Sequence, residues 1–593
     1  MTDRPLLGPL LDAGVMAEVD LRVADLLTRR CGIDDPLVLD LAALLVAAQR
    51  SGHTCLDLRL VDELRDSLLV GSPVSRAGGH DTTLEDMVAA LTSSPVVSGP
   101  GDPPAGRQIL PLHLDGVRLH SHRSRTDETT VANGLRRLAA SPVTPVADLD
   151  ERLDRLFGDT GDDDPQRQAA MAFATTGLTV VVGGPGTGKT YTIARALAVL
   201  LTPGADGNVP RVAVCAPTGK AATRTKESLI EAAGTDGLTG AEADLLREVD
   251  PSTIHRLLGS LPNSRTRFRH NAEEPLAIDA VIVDETSMVS QHLLARLLES
   301  LPSGARLLLA GDPGQLESID SGSVLRDVVD ASTAGGSPMT DRVITLTDNR
   351  RVAGRSPVIE LANGIRSERP DDVIALLRAG DDRIRWIETE LATGRSDEIL
   401  ADVIRPLTGI SWSADSPEDE AALLGCLDAV GAHRLLCGHR HGPAGVSTWN
   451  RLVEEHLQVH GDWYPGRMLL VTRNEIRSGL VNGDTGVVVD TPEGRRACFR
   501  LNGRPVLLTQ AQLPPTETAF ALTVHKSQGS EYRQVTVVLP PVGSPLLKRE
   551  LLYTAVTRAT RTVTIVGSEQ AIRAAVVERT IRMTGLSDAL SIP

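Results

Sequence analysis

The chain has 593 residues, 41% hydrophobic and 23% charged, which suits a globular protein of three or four folding units rather than a single core. No run approaches the roughly 18 uninterrupted apolar residues of a membrane span. Met1-Thr2-Asp3-Arg4 carries no export signal, and the six cysteines (31, 55, 215, 426, 437 and 498) include no C-x-x-C pair, which argues against a zinc or iron–sulfur site and for a reducing, cytoplasmic setting. The formal net charge of −16 sits awkwardly with nucleic-acid binding. Residues 1–100, however, hold 15 Asp and Glu against 8 Lys and Arg, so nearly half the excess lies at one end and a basic groove elsewhere stays open.

Asp35-Pro36 reads as a helix N-cap followed by Pro at the first helical position. The stripe Leu37, Leu41, Leu44, Leu45 then runs to Ser51-Gly52, so residues 1–110 are expected to form an α-helical domain. Pro and Gly cluster at 95–106, and a second break spans Gly158 to Pro165; 111–164 reads as a connecting segment. From 165 the pattern alternates: a helix Pro165 to Thr175, a strand Leu178 to Val182, a Gly-rich loop, a helix Thr190 to Leu201, and a strand Arg211 to Ala216. That order predicts an α/β fold with parallel sheets wrapped by helices. Further strand-like runs begin at Ala280, Arg306, Val343, Arg467, Thr485, Val535 and Thr562, enough for two sheets, one in 165–340 and one in 341–593. Within the second, 466–515 alternates short strands with turns at Asn482-Gly483, Glu493-Gly494 and Asn502-Gly503. Within the first, Arg265, Arg267, Arg269 and His270 mark a small basic hairpin or a solvated basic loop near 260–275.

Gly183, Gly184, Pro185, Gly186, Thr187, Gly188, Lys189 and Thr190 spell a full G-x-x-x-x-G-K-T between strand and helix. The glycines let backbone N–H groups curl around phosphate oxygens, and the helix presents its positive N-terminus. Lys189 is expected to reach the β- and γ-phosphates and the Thr190 hydroxyl to ligate Mg²⁺. Asp284 and Glu285 close the run Val281-Ile282-Val283. Alone, such a pair is usually a solvated strand end; behind a P-loop, Asp284 suits the Mg²⁺ shell and Glu285 the polarising of attacking water. These residues imply an NTPase and no more. The chain has only five lysines against 56 arginines, and three of them (Lys189, Lys220, Lys526) fall inside motifs.

The remaining strings narrow the class. Gln166 lies 17 residues before Gly183, where its amide could read adenine. Ala216 to Ala222, Thr253 to Gly259, Gly311 to Leu316, Arg350-Arg351, Thr523 to Glu531 and Leu552 to Ala559 follow in order. This set resembles the motifs of superfamily-1 helicases across roughly residues 165–565. The resemblance implies two RecA-like domains hydrolysing ATP in the cleft between them. It implies single-strand contacts from Pro217, Thr218, Lys220, His255, Lys526, Ser527 and Gln528. It also implies catalytic roles for Gln315, Arg351 and Arg558, with both arginines reaching the γ-phosphate and Glu531 near the ribose. The plainer alternatives are a surface ion pair for either arginine and a packed or capping side chain for His255. The third motif, Gln315-Leu316-Glu317-Ser318-Ile319, lacks the aromatic residue that 3′→5′ members stack on bases, so it looks like the 5′→3′ branch. With 2% aromatic residues, phosphate and sugar contacts must dominate the grip.

Ser318 to Leu325, Leu436 to Pro443, Val471 to Asn474, Asn482 to Gly486 and, less specifically, the block around Asp57 resemble the RecD family, the α subunits of RecBCD (exonuclease V) complexes. That likeness implies a motor at double-strand DNA ends, beside a RecB-like 3′→5′ helicase/nuclease and a RecC-like scaffold in a heterotrimer. Residues 1–110 would dock onto partners, 466–515 would form a β-barrel-like insertion, and the segment near 260–275 would split the duplex. The chain shows no nuclease-type cluster of carboxylates with a Lys, and His439 and His441 lack a third ligand nearby and read as loop residues. A stand-alone 5′→3′ helicase and a non-catalytic DNA-binding subunit with a vestigial P-loop remain as alternatives.

Overall fold

The computed structural model describes residues 4–592 except 71–79, 100–109, 159–160, 162, 203–208, 262–263, 265, 348–355, 390–395, 417, 476 and 502. Near the N-terminus the Asp35 carboxylate accepts the Leu37 N–H at 2.8 Å, and Pro36 opens the helix Pro36–Arg50. That helix buries Leu41, Leu44 and Leu45 completely. Four short strands complete this unit: β1 (Cys55–Asp57), β2 (Val97–Ser98), β3 (Leu112–Asp115) and β4 (Arg118–Ser121), in the order β1-β4-β3-β2. The boundary expected at 110 therefore cuts through a sheet. The β3–β4 hairpin belongs to the N-terminal unit because Leu112, Leu114 and Leu119 are needed in its core.

The segment 111–164 is more than a connection. The helix His122–Ala140 places Val131, Leu135 and Leu138 in the core of the next unit, and the helix Leu149–Phe157 does the same with Leu153, Leu156 and Phe157. That unit is built on a parallel sheet of β5 (Leu178–Gly183), β6 (Val212–Ala216), β7 (Ser252–Thr253), β8 (Ala280–Val283), β9 (Arg306–Gly311) and β10 (Val343–Leu346), in the order β10-β5-β9-β8-β6-β7. Because β10 pairs with β5, the boundary expected at 340 falls one strand too early. Strands β5, β8 and β9 are buried at every position, as central parallel strands covered on both faces must be.

The second motor unit contributes β11 (Ile384–Ile387) and β12 (His433–Cys437). An insertion follows: β13 (Met468–Val471), β14 (Thr485–Val489), β15 (Arg496–Leu501), β16 (Arg504–Leu508) and β17 (Thr516–Thr518). The unit then resumes with β18 (Ala521–Thr523), β19 (Tyr532–Val538) and β20 (Ala559–Val566), giving a parallel sheet in the order β11-β20-β19-β12-β18. The insertion is an antiparallel sheet, β16-β15-β14-β13-β17. Its alternation feeds two cores: Met468, Leu470, Val487 and Cys498 face the motor, while Leu469, Val471, Val488 and Phe499 pack among themselves. Closure into a barrel would pair β16 with β17, and no such pairing occurs among the described residues.

The second motor unit does not extend to the end of the chain. Beyond Glu578 the chain crosses back: Met583 enters the N-terminal core, and the helix Leu586–Ser591 packs Leu586 and Leu590 into the first motor unit. Polar contacts pin the crossing, with Thr54 N–H donating to Met583 O and Gly585 N–H to Glu128 Oε2, both at 2.9 Å. No helix among the described residues is long and apolar enough to cross a membrane.

Candidate functional site

The loop after β5 turns through Gly186 (φ 78°) and Gly188 (φ 85°), and Gly188 is the residue preceding the helix Lys189–Leu201. Side chains are excluded on contact grounds too: a Cβ on Gly183 would lie 2.5 Å from Thr187 Oγ1, and one on Gly188 2.4 Å from Gln166 Nε2. The result is a cradle of backbone N–H groups at a helix N-terminus. Lys189 Nζ donates to the carbonyls of Gly183 at 2.7 Å and Gly184 at 3.0 Å, so its ammonium lies over the loop it serves. Gln166 Nε2 donates to Thr187 O at 3.0 Å, while its Oε1 is buried with no hydrogen-bond partner. An acceptor left unsatisfied there suits an amino group such as that of adenine.

Asp284 and Glu285 stand at the end of β8, and Glu285 takes a left-handed φ of 53°, a strained backbone that re-aims the side chain. Asp284 Oδ1 accepts the Glu285 N–H and Oδ2 accepts the Thr225 hydroxyl, both at 2.9 Å. Burial pushes the Asp284 carboxyl up, while the Thr225 hydrogen bond, the Glu285 N–H and Lys189 pull it down. Burial and the neighbouring Asp284 charge raise Glu285, and Arg558 and Lys189 oppose the rise.

A cavity of about 430 Å³ joins these groups to the second motor unit. The P-loop, Asp284, Glu285 and Gln315 line one wall, and Gly529, Glu531 and Arg558 the other. Arg558 is almost fully buried; Nη2 donates to Gln315 Oε1 at 3.1 Å and Nη1 to Ser530 O at 3.2 Å. Gln315 Nε2 donates to Asp312 Oδ2 at 3.2 Å, and the same oxygen accepts Tyr553 Oη at 3.0 Å. A chain of hydrogen bonds thus crosses from Arg558 to the first unit and returns to the second at Tyr553. Thr554 Oγ1 accepts the Leu316 N–H at 2.8 Å, and Arg224 pairs with Glu531 at 2.9 Å, adding two more cross-cleft bonds. Arg351 lies outside the described residues.

The strand-contact candidates divide. Ala216 is paired with Thr253 where β6 and β7 end, so Thr218 and His255 both follow strand ends at the C-terminal edge of the sheet, where parallel sheets bind ligands. Thr218 caps the helix Gly219–Ala232 by accepting the Ala221 N–H at 3.2 Å, and Pro217 precedes it. Lys220 Nζ donates to Gly483 O at 3.0 Å, tying this helix to the β13–β14 loop of the insertion. His255 stacks edge-on against Phe268, with ring centroids 5.7 Å apart, and burial lowers its pKa. Phe268 pairs with Ser260 through a single antiparallel bridge, so the basic segment folds back on itself, with Arg267 and Arg269 exposed. Lys526 is ion-paired with Glu517 at 2.7 Å. Ser527 and Gln528 depart from the expected strand contact: both are buried, Ser527 Oγ donating to Val524 O at 2.7 Å and Gln528 Nε2 to Leu316 O at 2.8 Å. Their side chains are spent within the core and across the cleft.

The sequence reading missed Tyr553 and Thr554, although they lie inside a quoted motif, because a buried hydroxyl has no pattern of its own. Thr225 gave no signal at all. Tyr191, backed by the Arg195 guanidinium 3.5 Å from its ring centroid, also lines the cavity unforeseen. Among the described residues no cluster of three or more His, Cys, Asp or Glu could hold a metal.

A P-loop and a paired Asp-Glu facing an arginine from a second parallel-sheet lobe define a two-lobed P-loop motor NTPase. Residues 162–389 match an AAA domain, 518–566 a UvrD-like helicase C-terminal domain, and 12–120 the N-terminal domain of RecBCD enzyme subunit RecD. The RecBCD enzyme subunit RecD of Mycobacterium tuberculosis (strain ATCC 25618 / H37Rv) is 39% identical over 97% of this chain and 95% of that protein. That of Mycolicibacterium smegmatis is 40% identical over 98% of both. The ATP-dependent RecD2 DNA helicase of Deinococcus radiodurans is 33% identical over 78% of this chain and 57% of its own length. The chain belongs to the RecD family of RecBCD enzyme subunits.

Proposed function

We propose that this chain couples ATP hydrolysis in the 430 Å³ interlobe cavity to 5′→3′ movement along one DNA strand, as the α-subunit motor of a complex that processes double-strand DNA ends. As a member of its family it is an ATP-dependent DNA helicase of a RecBCD complex. The observation that carries the mechanism is the presence of Arg558 in the same cavity as Lys189 and Glu285, although it comes from the other lobe.

The buried Gln166 acceptor and the Cβ-excluding cradle fit an adenine nucleotide. Thr190 and Asp284 offer the hard oxygen ligands Mg²⁺ takes, and the ion when bound would neutralise phosphate charge. Glu285, which lines the same cavity, is assigned the polarising of attacking water. Arg558 supplies positive charge where it develops in the transition state, so hydrolysis requires the lobes to be together. Glu531 lines the same cavity and is assigned the ribose contact that the family likeness implies. Closure moves the ends of β6 and β7 relative to the loop after β18, which is how Thr218, His255 and Lys526 would take turns on a strand. The antiparallel insertion serves as a wall to that path, joined to Lys220 through Gly483. The N-terminal unit, now residues 4–121, is the docking surface for RecB-like and RecC-like partners.

The test compares unwinding of 5′-tailed and 3′-tailed duplexes by the chain alone and with co-expressed partners, with Lys189→Ala as control. Unwinding from 5′ tails that is abolished by Lys189→Ala supports the reading. Unwinding from 3′ tails alone would overturn the polarity, and activity equal to the parent in Lys189→Ala would overturn the site.

A further inference from the structure

The helix Gly219–Ala232 starts at Thr218 on the DNA-facing edge and then runs along the nucleotide cavity, with Arg224, Thr225, Ser228 and Glu231 on the lining. From Thr218 to Thr225 is about 10 Å along a rigid helix axis. Thr225 is buried, and its hydroxyl supplies one of the two hydrogen bonds that orient the Asp284 carboxylate, at 2.9 Å. The same hydroxyl lies 3.0 Å from Ala221 O and has one proton, so the bond to Asp284 competes with a back-bond along the helix. One turn of the helix thereby decides how firmly the carboxylate is held. Next to it, Arg224 reaches Glu531 of the other lobe at 2.9 Å.

We propose that Thr225 is a positioning residue for Asp284, through which displacement of the DNA-facing end of this helix reorients the carboxylate, while the Arg224–Glu531 pair carries the same displacement to lobe closure. This step rests on the motor reading above. It makes Thr225 a coupling residue between DNA and nucleotide, where packing alone would make it inert to DNA.

The experiment uses the full chain with its partner subunits and oligo(dT) as the DNA. Two quantities are read: the ratio of DNA-stimulated to basal ATP hydrolysis, and the change that oligo(dT) causes in affinity for a fluorescent non-hydrolysable ATP analogue. The second measures coupling without turnover. A hydrogen bond to a charged group is worth about tenfold or more, so Thr225→Val should lower the DNA-stimulated rate about tenfold, the basal rate by clearly less, and shrink the DNA-linked affinity change. Thr225→Ser, which keeps the hydroxyl, should restore both. Should the valine variant fail to fold, Thr225→Ala removes the same hydroxyl without added crowding. Equal losses in basal and stimulated rates, or a ratio within about twofold of the parent, would overturn the proposal. A parent that oligo(dT) does not stimulate would overturn the motor reading itself, so the two failures are distinguishable.

Discussion

The cross-cleft chain Arg558–Gln315–Asp312–Tyr553 makes Tyr553→Phe the most informative single substitution. It removes one oxygen and nothing else. Tyr553 is 2% exposed and its hydroxyl donates to Asp312 Oδ2 at 3.0 Å, while Asp312 keeps Gln315 Nε2 at 3.2 Å and the Gly314 N–H on Oδ1 at 3.0 Å. A hydrogen bond to a charged group contributes about 1.5–3 kcal/mol. Because two donors remain, the low end applies, and about 1.5 kcal/mol corresponds to roughly tenfold. The bond exists only with the lobes together, so the loss falls on the closed state, and kcat/KM for DNA-stimulated ATP hydrolysis should drop about tenfold. The thermal midpoint should move little, since the phenyl ring still fills its site. A double-mutant cycle with Gln315→Ala should show coupling of about 0.5 kcal/mol or more, as expected of one network. A Tyr553→Phe rate within about twofold of the parent, with additive behaviour in the cycle, would refute the idea that this chain of bonds holds the catalytic closure.

Three other expectations follow from the same geometry. Arg558→Ala should lower kcat by about 10³-fold or more, with nucleotide affinity much less affected, because its charge acts in the transition state; a stopped assay with a fluorescent-nucleotide titration separates the two. Gly52 has φ 92°, and a Cβ there would lie 1.6 Å from Arg582 Nη1, so Gly52→Ala should loosen the C-terminal crossing at a cost of about 2 kcal/mol or more, visible as faster proteolysis after Glu578. His53 accepts the Met583 N–H at 2.8 Å, and burial lowers its pKa to about 4 from 6.5. The unfolded chain therefore binds the proton first. The contribution of His53 is fully present above pH 6.5 and is lost as pH falls towards 4, by about 2 kcal/mol at pH 5. His120 and His433, lowered by burial to about 3, slope the same way, whereas Glu128 and Asp327, raised by burial, slope the other. Thermal midpoints of parent and His53→Gln between pH 5 and 7 isolate the term, and identical pH profiles would show that His53 makes no such contribution.

Local rules sufficed wherever one stretch of chain contains the whole cause. The P-loop is such a stretch, since strand, glycines and helix are contiguous and the positive φ of Gly186 and Gly188 belongs to the turn itself. The same holds for the cap at Asp35 and the continuous apolar strands β5, β8 and β9. The ordered motifs told which family the chain resembles, because their spacing survives without any contact being known.

What depended on distant partners was invisible. The β3–β4 hairpin joins the N-terminal sheet only because β1 offers an edge more than fifty residues earlier, so no composition break marks the true boundary. The return of residues 579–592 is driven by Leu586 and Leu590 covering a core in the first motor unit, and nothing local distinguishes that from a tail of the second. Gln528 and Ser527 look exposed in a polar motif, yet the fold buries them and satisfies their side chains at Leu316 and Val524. Tyr553 and Thr225 acquire meaning only when Asp312 and Asp284 arrive beside them. The sequence by itself determined the nucleotide loop, the alternating α/β pattern and the motif order, since those are short-range. Tertiary structure alone decided which hydroxyls and amides bridge the cleft, because a buried hydrogen bond is specified by two segments that meet only after folding.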